Sequence, residues 1–148
     1  MGKPQLTPLK QWICDSCGGI LEVDDGWFEW YEDRKTGKEK GFRIVHNQEE
    51  CQYDSMKLYR DEKSTRDMHI QAYLGTEGFV ELLSMLDEGK IEDVKEWTEV
   101  VRRLHVDYYE EARSYLSKAK ADGYLDGSNG ISEFTPINLK ELIEKYGR

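Results

Sequence analysis

The chain has no apolar run near the ~20 residues that a membrane-spanning helix requires, so no membrane association is expected. Nor has it an excess of basic residues. Its 148 residues carry 21 lysines and arginines against 30 acids, giving a net charge of −9 and a pI near 4.9. Divided after Gly75, the first part holds 11 bases and 14 acids (−3) and the second 10 and 16 (−6). A protein that grips phosphate backbones non-specifically wants the opposite sign, so nucleic acid is a secondary expectation for the main partner. Also missing are a G-x-S-x-G elbow, a P-loop, a G-x-G-x-x-G turn and a Ser-His-Asp order, and with them any positive sign of catalysis. There are only three cysteines, an odd number, and the opening M-G-K-P-Q-L-T-P-L-K has no apolar stretch of the secretory kind. A reducing, cytoplasmic setting follows, in which metal ligation is a better use of thiols than a disulfide framework.

All three cysteines and one of the three histidines fall between Trp12 and Tyr53. They form Cys14-x2-Cys17, a spacer of 28 residues, then His46-x4-Cys51. Two short-spaced donor pairs separated by a longer span suit one tetrahedral zinc ion, because thiolate and imidazole supply four borderline ligands at about 2.3 and 2.0 Å. Gly18 and Gly19 let the chain fold back behind the second sulfur. The competing reading makes Cys14 and Cys17 a redox pair and Cys51 a buried thiol. Such a pair is expected at a helix start, which Asp15-Ser16-Cys17-Gly18-Gly19 does not resemble. Iron is a further alternative metal, and His69 an alternative to His46 as the fourth ligand. With four protein donors the site is closed, so the ion is expected to be structural rather than catalytic.

Short strands are expected at Gln11-Trp12-Ile13 and Ile20-Leu21-Glu22-Val23, then an aromatic strand Trp27-Phe28-Glu29-Trp30-Tyr31. The run Gly41 to His46 returns from a polar loop and delivers His46. The C-x2-C-G-G-I knuckle with its hairpin resembles those of zinc-ribbon and rubredoxin-type folds over about the first third of the chain. The second pair departs from the ribbon pattern, being H-x4-C in place of C-x2-C. Trp27, Phe28, Trp30, Tyr31 and Phe42 read as the core beside the metal; base stacking is the alternative.

Beyond Tyr53 the pattern turns helical. Helices are expected from Ser64 to Leu74, from Thr76 to Gly89 with the apolar face Phe79, Val80, Leu82, Leu83 and Leu86, and from Ile91 to Leu104. A further helix is expected from an Asp107/Glu110 capping box to Gly123, then a hairpin around Gly127-Ser128-Asn129-Gly130, then a helix from Asn138. That order resembles a winged-helix domain over residues 76–148. The resemblance would place the Asp107–Glu111 end in a major groove, with Arg102, Arg103 and Arg113 as candidate nucleic-acid contacts beside Lys118 and Lys120.

The expected fold is therefore α+β: a zinc-ribbon-like β domain over 1–60 and a helical, winged-helix-like domain over 61–148. The expected function is non-enzymatic, a zinc-binding regulator or adaptor acting through an unidentified protein partner. A DNA-binding regulator, and a zinc hydrolase or thiol-redox protein, are the alternatives.

Overall fold

Two eight-residue strands organise the N-terminal part. In the computed structural model, which describes residues 5–124 and 133–147, β3 (Gly26–Asp33) is the central strand of an antiparallel sheet. It lies between β4 (Glu39–His46) and β5 (Lys63–His69), while β1 (Gln11–Ile13) and β2 (Ile20–Glu22) form a separate antiparallel pair. Helices dominate the rest: α1 (Ser55–Arg60), α2 (Gly75–Asp87), α3 (Val94–His105), α4 (Tyr109–Ala112), α5 (Leu116–Ala121) and α6 (Pro136–Gly147). The protein is α+β, with small antiparallel sheets first and most helices after them. Among the described residues no helix is long and apolar enough to cross a membrane.

One face of the sheet turns Phe28, Trp30, Phe42 and Ile44 inward, and all four are buried. Phe28 sits at the centre of an aromatic cluster, 4.8 Å from the Tyr73 ring, 5.1 Å from Trp30 and 6.3 Å from Trp97 of α3. Trp97 meets Phe42 edge-on at 4.9 Å. Tilted and edge-to-face rings at such separations add to the burial term. Phe28, Trp30 and Phe42 form core, and being buried they offer no stacking platform. Trp27 and Tyr31 point to the other face, where they contact His69 and Tyr53.

The cluster runs from Trp12 to Leu104, so the expected boundary at residues 60/61 falls inside it. A second cluster joins Tyr109, Ala112, Tyr115 and Ala119 to Leu139, Leu142 and Ile143 of α6.

Three elements differ from expectation. Residues 63–69 form β5, not a helix, pairing with β3 from Asp33↔Lys63 to Trp27↔His69. β3 would otherwise leave a row of backbone groups unpaired, and Met68 and Ile70 alone do not make a helical stripe. α1 went unread; Asp54 caps it by accepting from the amides of Met56 and Lys57. The helix expected after Asp107 is broken, with a 3-10 turn (Arg113–Tyr115) between α4 and α5. Its start carries no side-chain cap, because Tyr108 is left-handed (φ 71°) and Glu110 is engaged elsewhere. The hairpin expected around residues 127–130 lies outside the described residues.

The apolar face of α2 is largely open. Of the predicted apolar face only Leu82 is buried; Phe79, Val80, Leu83 and Leu86 remain 41–52 % exposed. Phe79, Leu83 and Leu86 line a groove of about 310 Å³ against Trp97 and Val101 of α3.

Three tyrosines of this fold should titrate late. Burial pushes Tyr53, Tyr73 and Tyr109 up to about 12 from the ordinary 10.0. Tyr53 donates to the Gly41 carbonyl at 2.7 Å and Tyr109 to Glu99 at 3.0 Å. Because the folded values lie above the unfolded one, this contribution to stability is complete below pH 10 and is lost as pH rises through 12. Absorbance titration should show phenolate from these three forming only near pH 12, with denaturant midpoints falling over the same window. Simultaneous titration of all nine tyrosines near pH 10 would contradict the burial.

Candidate metal centre

The chain between β1 and β2 turns tightly because the amide of Gly18 donates to the Cys14 carbonyl (3.0 Å) and that of Cys14 to the Gly19 carbonyl (2.8 Å). Gly18 takes φ 79°, a left-handed conformation that a side chain would strain. This knuckle carries Cys14 and Cys17. β4 ends on His46, and a further turn, closed by Cys51 N–H donating to Gln48 at 3.0 Å, presents Cys51. The three segments bring the four donor atoms of Cys14, Cys17, His46 and Cys51 within 4.8 Å of one another, a Cys3His cluster that could hold a metal ion.

The cluster is prepared for ligation in several ways. His46 Nε2 lies 3.2 Å from the Ile20 carbonyl, which can only accept, so the ring proton belongs there. Nδ1 then carries the free lone pair and faces Cys17 Sγ at 3.3 Å and Cys51 Sγ at 3.9 Å. A carbonyl fixing the tautomer of a ligating imidazole is the usual outer-sphere partner of such a site. Backbone amides of Ser16, Cys17 and His46 point at Cys14 Sγ from 3.4 to 3.5 Å, and that of Gly19 at Cys17 Sγ from 3.4 Å. Burial pushes the Cys14 thiol up, but these amides and the His46 ring outweigh it and bring it down to about 6. Burial and the neighbouring thiols push Cys51 up to about 11. For His46, desolvation is outweighed by Cys14 and the Ile20 carbonyl, so its affinity for a proton rises. The cluster thus sets Cys14, a ready thiolate, beside Cys51, a thiol that resists ionisation.

Arg43 holds the Cys51 turn against the sheet. It donates to the Cys51 carbonyl at 3.0 Å and to the buried Glu29 carboxylate, and stacks 3.8 Å from the Tyr53 ring. Glu29 also accepts from the Tyr53 amide at 3.2 Å. Trp27 donates to the Asn47 side chain, next to His46 of the cluster.

The other predicted site residues are dispersed. His69 stacks on Trp27 at 4.3 Å and stays out of the cluster. Arg102 lies 4.8 Å over the Phe134 ring, and Arg113 pairs with Glu99 at 3.0 Å. Arg103, expected at the surface as a phosphate contact, is instead 3 % exposed. It lies on the same helix face as Trp97, Val100 and Leu104, and so is drawn inside with them. There it donates to both carboxylate oxygens of Glu110 (2.7 and 2.8 Å), to Asp15 (2.7 Å) and to the Ile13 carbonyl (3.1 Å).

This network was not foreseen. Glu110 accepts in turn from the Ile13 amide at 3.0 Å, Glu111 from the Leu6 amide at 2.7 Å, and the Arg103 carbonyl from the Trp12 indole at 2.9 Å. Asp15, between the two knuckle cysteines, also accepts from the Ile44 amide at 2.8 Å. The one sequence signal was an arginine in register with an apolar stripe. Comparison of the chain with protein families, with curated proteins and with solved structures gives no match.

Proposed function

We propose that Cys14, Cys17, His46 and Cys51 hold one structural zinc ion, and that the protein is a non-enzymatic regulator or adaptor acting through protein contacts. The observation that carries the metal is the donor geometry. A tetrahedron with bonds of about 2.3 Å to sulfur and 2.0 Å to nitrogen has edges of roughly 3.5 Å between nitrogen and sulfur and about 3.8 Å between sulfurs. The nitrogen–sulfur separations of 3.3 and 3.9 Å bracket the first of these. Three soft sulfurs and one imidazole favour zinc over harder cations. Four protein donors complete its coordination, and among the described residues no further donor joins the group, so the ion would hold the fold rather than bind substrate. The hairpin of β3 and β4 that delivers His46 is in keeping with the resemblance to zinc ribbons.

The open face of α2 supports the second half of the proposal. Soluble proteins rarely leave large apolar side chains in one continuous patch unless another molecule covers it. Leu83→Asp should leave zinc content unchanged and stability within about 0.5 kcal/mol, as surface substitutions do. It should abolish capture of a partner that the unchanged chain retains. Equal partner profiles for both chains, measured by quantitative mass spectrometry of captured proteins, would reject α2 as the contact surface.

A further inference from the structure

We infer that the metal centre is also an oxidant-sensitive release switch in which Cys17 is the reactive sulfur. The inference rests on the zinc proposed above and adds a way of removing it. Within the cluster the sulfurs differ in access: Cys14 and Cys51 are 2 % and 4 % exposed, whereas Cys17 is open to solvent. A small hydroperoxide must approach a sulfur directly, and Cys17 is the ligand it can reach. Both other sulfurs lie within 4.8 Å of it, so an oxidised Cys17 has a resolving thiol at hand without rearrangement of the fold.

The electrons balance within the cluster. The Cys17 thiolate attacks one oxygen of hydrogen peroxide, the O–O bond breaks, hydroxide leaves and is protonated to water, and Cys17 becomes a sulfenic acid. The neighbouring Cys14 thiolate then attacks that sulfur, forming the S–S bond and expelling a second hydroxide that becomes water. Two thiolates give up two electrons and the peroxide takes them. Zinc has no redox chemistry of its own and changes no oxidation state. With Cys14 and Cys17 joined, only Cys51 and His46 would remain as donors, too small a set to retain a bound zinc ion. The change is transmitted to the helices, because Asp15 stands between the two oxidised cysteines and its carboxylate ties Ile44 of β4 to Arg103 of α3.

The experiment uses the full chain, as purified, treated with hydrogen peroxide in the presence of a chromogenic zinc chelator. One zinc should be released per disulfide, and dimedone added during the reaction should label Cys17. Amide hydrogen exchange over residues 94–105 should quicken, and reductant with added zinc should reverse all of this. Cys17→His, which keeps four donors but removes the accessible sulfur, should hold its zinc and release it at least tenfold more slowly under peroxide. Dimedone on Cys14 or Cys51 alone, or oxidation confined to the exposed Met56 and Met68 with the zinc retained, would overturn the switch and leave the zinc proposal standing. A chain that purifies without zinc and takes none up overturns both.

Discussion

Stripping the metal with a strong chelator is expected to unfold the N-terminal part of the protein, and Cys14→Ser and Cys51→Ser to do the same. The strands β1 and β2 have three residues each, too few to persist as an isolated ribbon. They bury Trp12 and Leu21 completely only while the knuckle holds its shape. At structural zinc sites the binding free energy, about 10–16 kcal/mol in zinc-finger peptides, is in effect folding free energy. That equals or exceeds the roughly 5–15 kcal/mol that stabilises an ordinary domain. Elemental analysis should give about one zinc per chain as purified, and the metal-free chain should lose its thermal transition or melt far lower. Metal-free protein that melts like the purified form would refute a fold-holding role. Cys17→Ser should be milder for the core, since Cys17 alone of the three sulfurs sits in solvent.

Arg103→Met is expected to be the most damaging substitution outside the metal site. Burial alone would push the guanidinium toward neutrality, and the Glu110 and Asp15 carboxylates more than reverse that, so the charge is kept in the interior. Removing it strands Glu110 in the core and frees the Ile13 carbonyl. Breaking a buried ion pair from one side costs about 3–5 kcal/mol. For a chain of this size, that lowers the thermal midpoint by about 10 °C or more. Arg103→Lys should rescue little, because an ammonium cannot hold Glu110 in a two-pronged contact while reaching Asp15 and Ile13. Adding Glu110→Leu to Arg103→Met should recover part of the loss by removing the stranded charge. The reading fails if either single variant unfolds at the denaturant midpoint of the unchanged chain.

The grouping of Cys14, Cys17, His46 and Cys51 was legible because their chemistry is carried by residue type and short spacing, which need no knowledge of packing. β3 and β4 were legible for a similar reason, since a run dense in aromatics reads as a strand and its return has alternating character. Trp97, Val100 and Leu104 gave α3 by helical spacing. β5 was not legible, because Lys63 to Met68 is polar and its pairing is dictated by the unfilled edge of β3, a feature distant in sequence. Nor was the Arg103 network. Arg103, Asp15 and Glu110 look like ordinary surface charges until the fold brings residues 88 positions apart into contact. The exposure of the α2 face was not legible either, since periodic apolar residues declare an amphipathic helix but not what covers it.

The long-range bonds of the N-terminal segment carry a consequence for the timing of synthesis. The amide of Ile13 waits for Glu110, the indole of Trp12 for the Arg103 carbonyl and the amide of Leu6 for Glu111, separations of 97, 91 and 105 residues. At about 5–20 residues per second on the ribosome, the first strand emerges roughly 5–20 s before its partners exist. During that interval Cys14 and Cys17 stand without Arg103 and Glu110, which tie down Ile13 and Asp15 beside them in the folded chain.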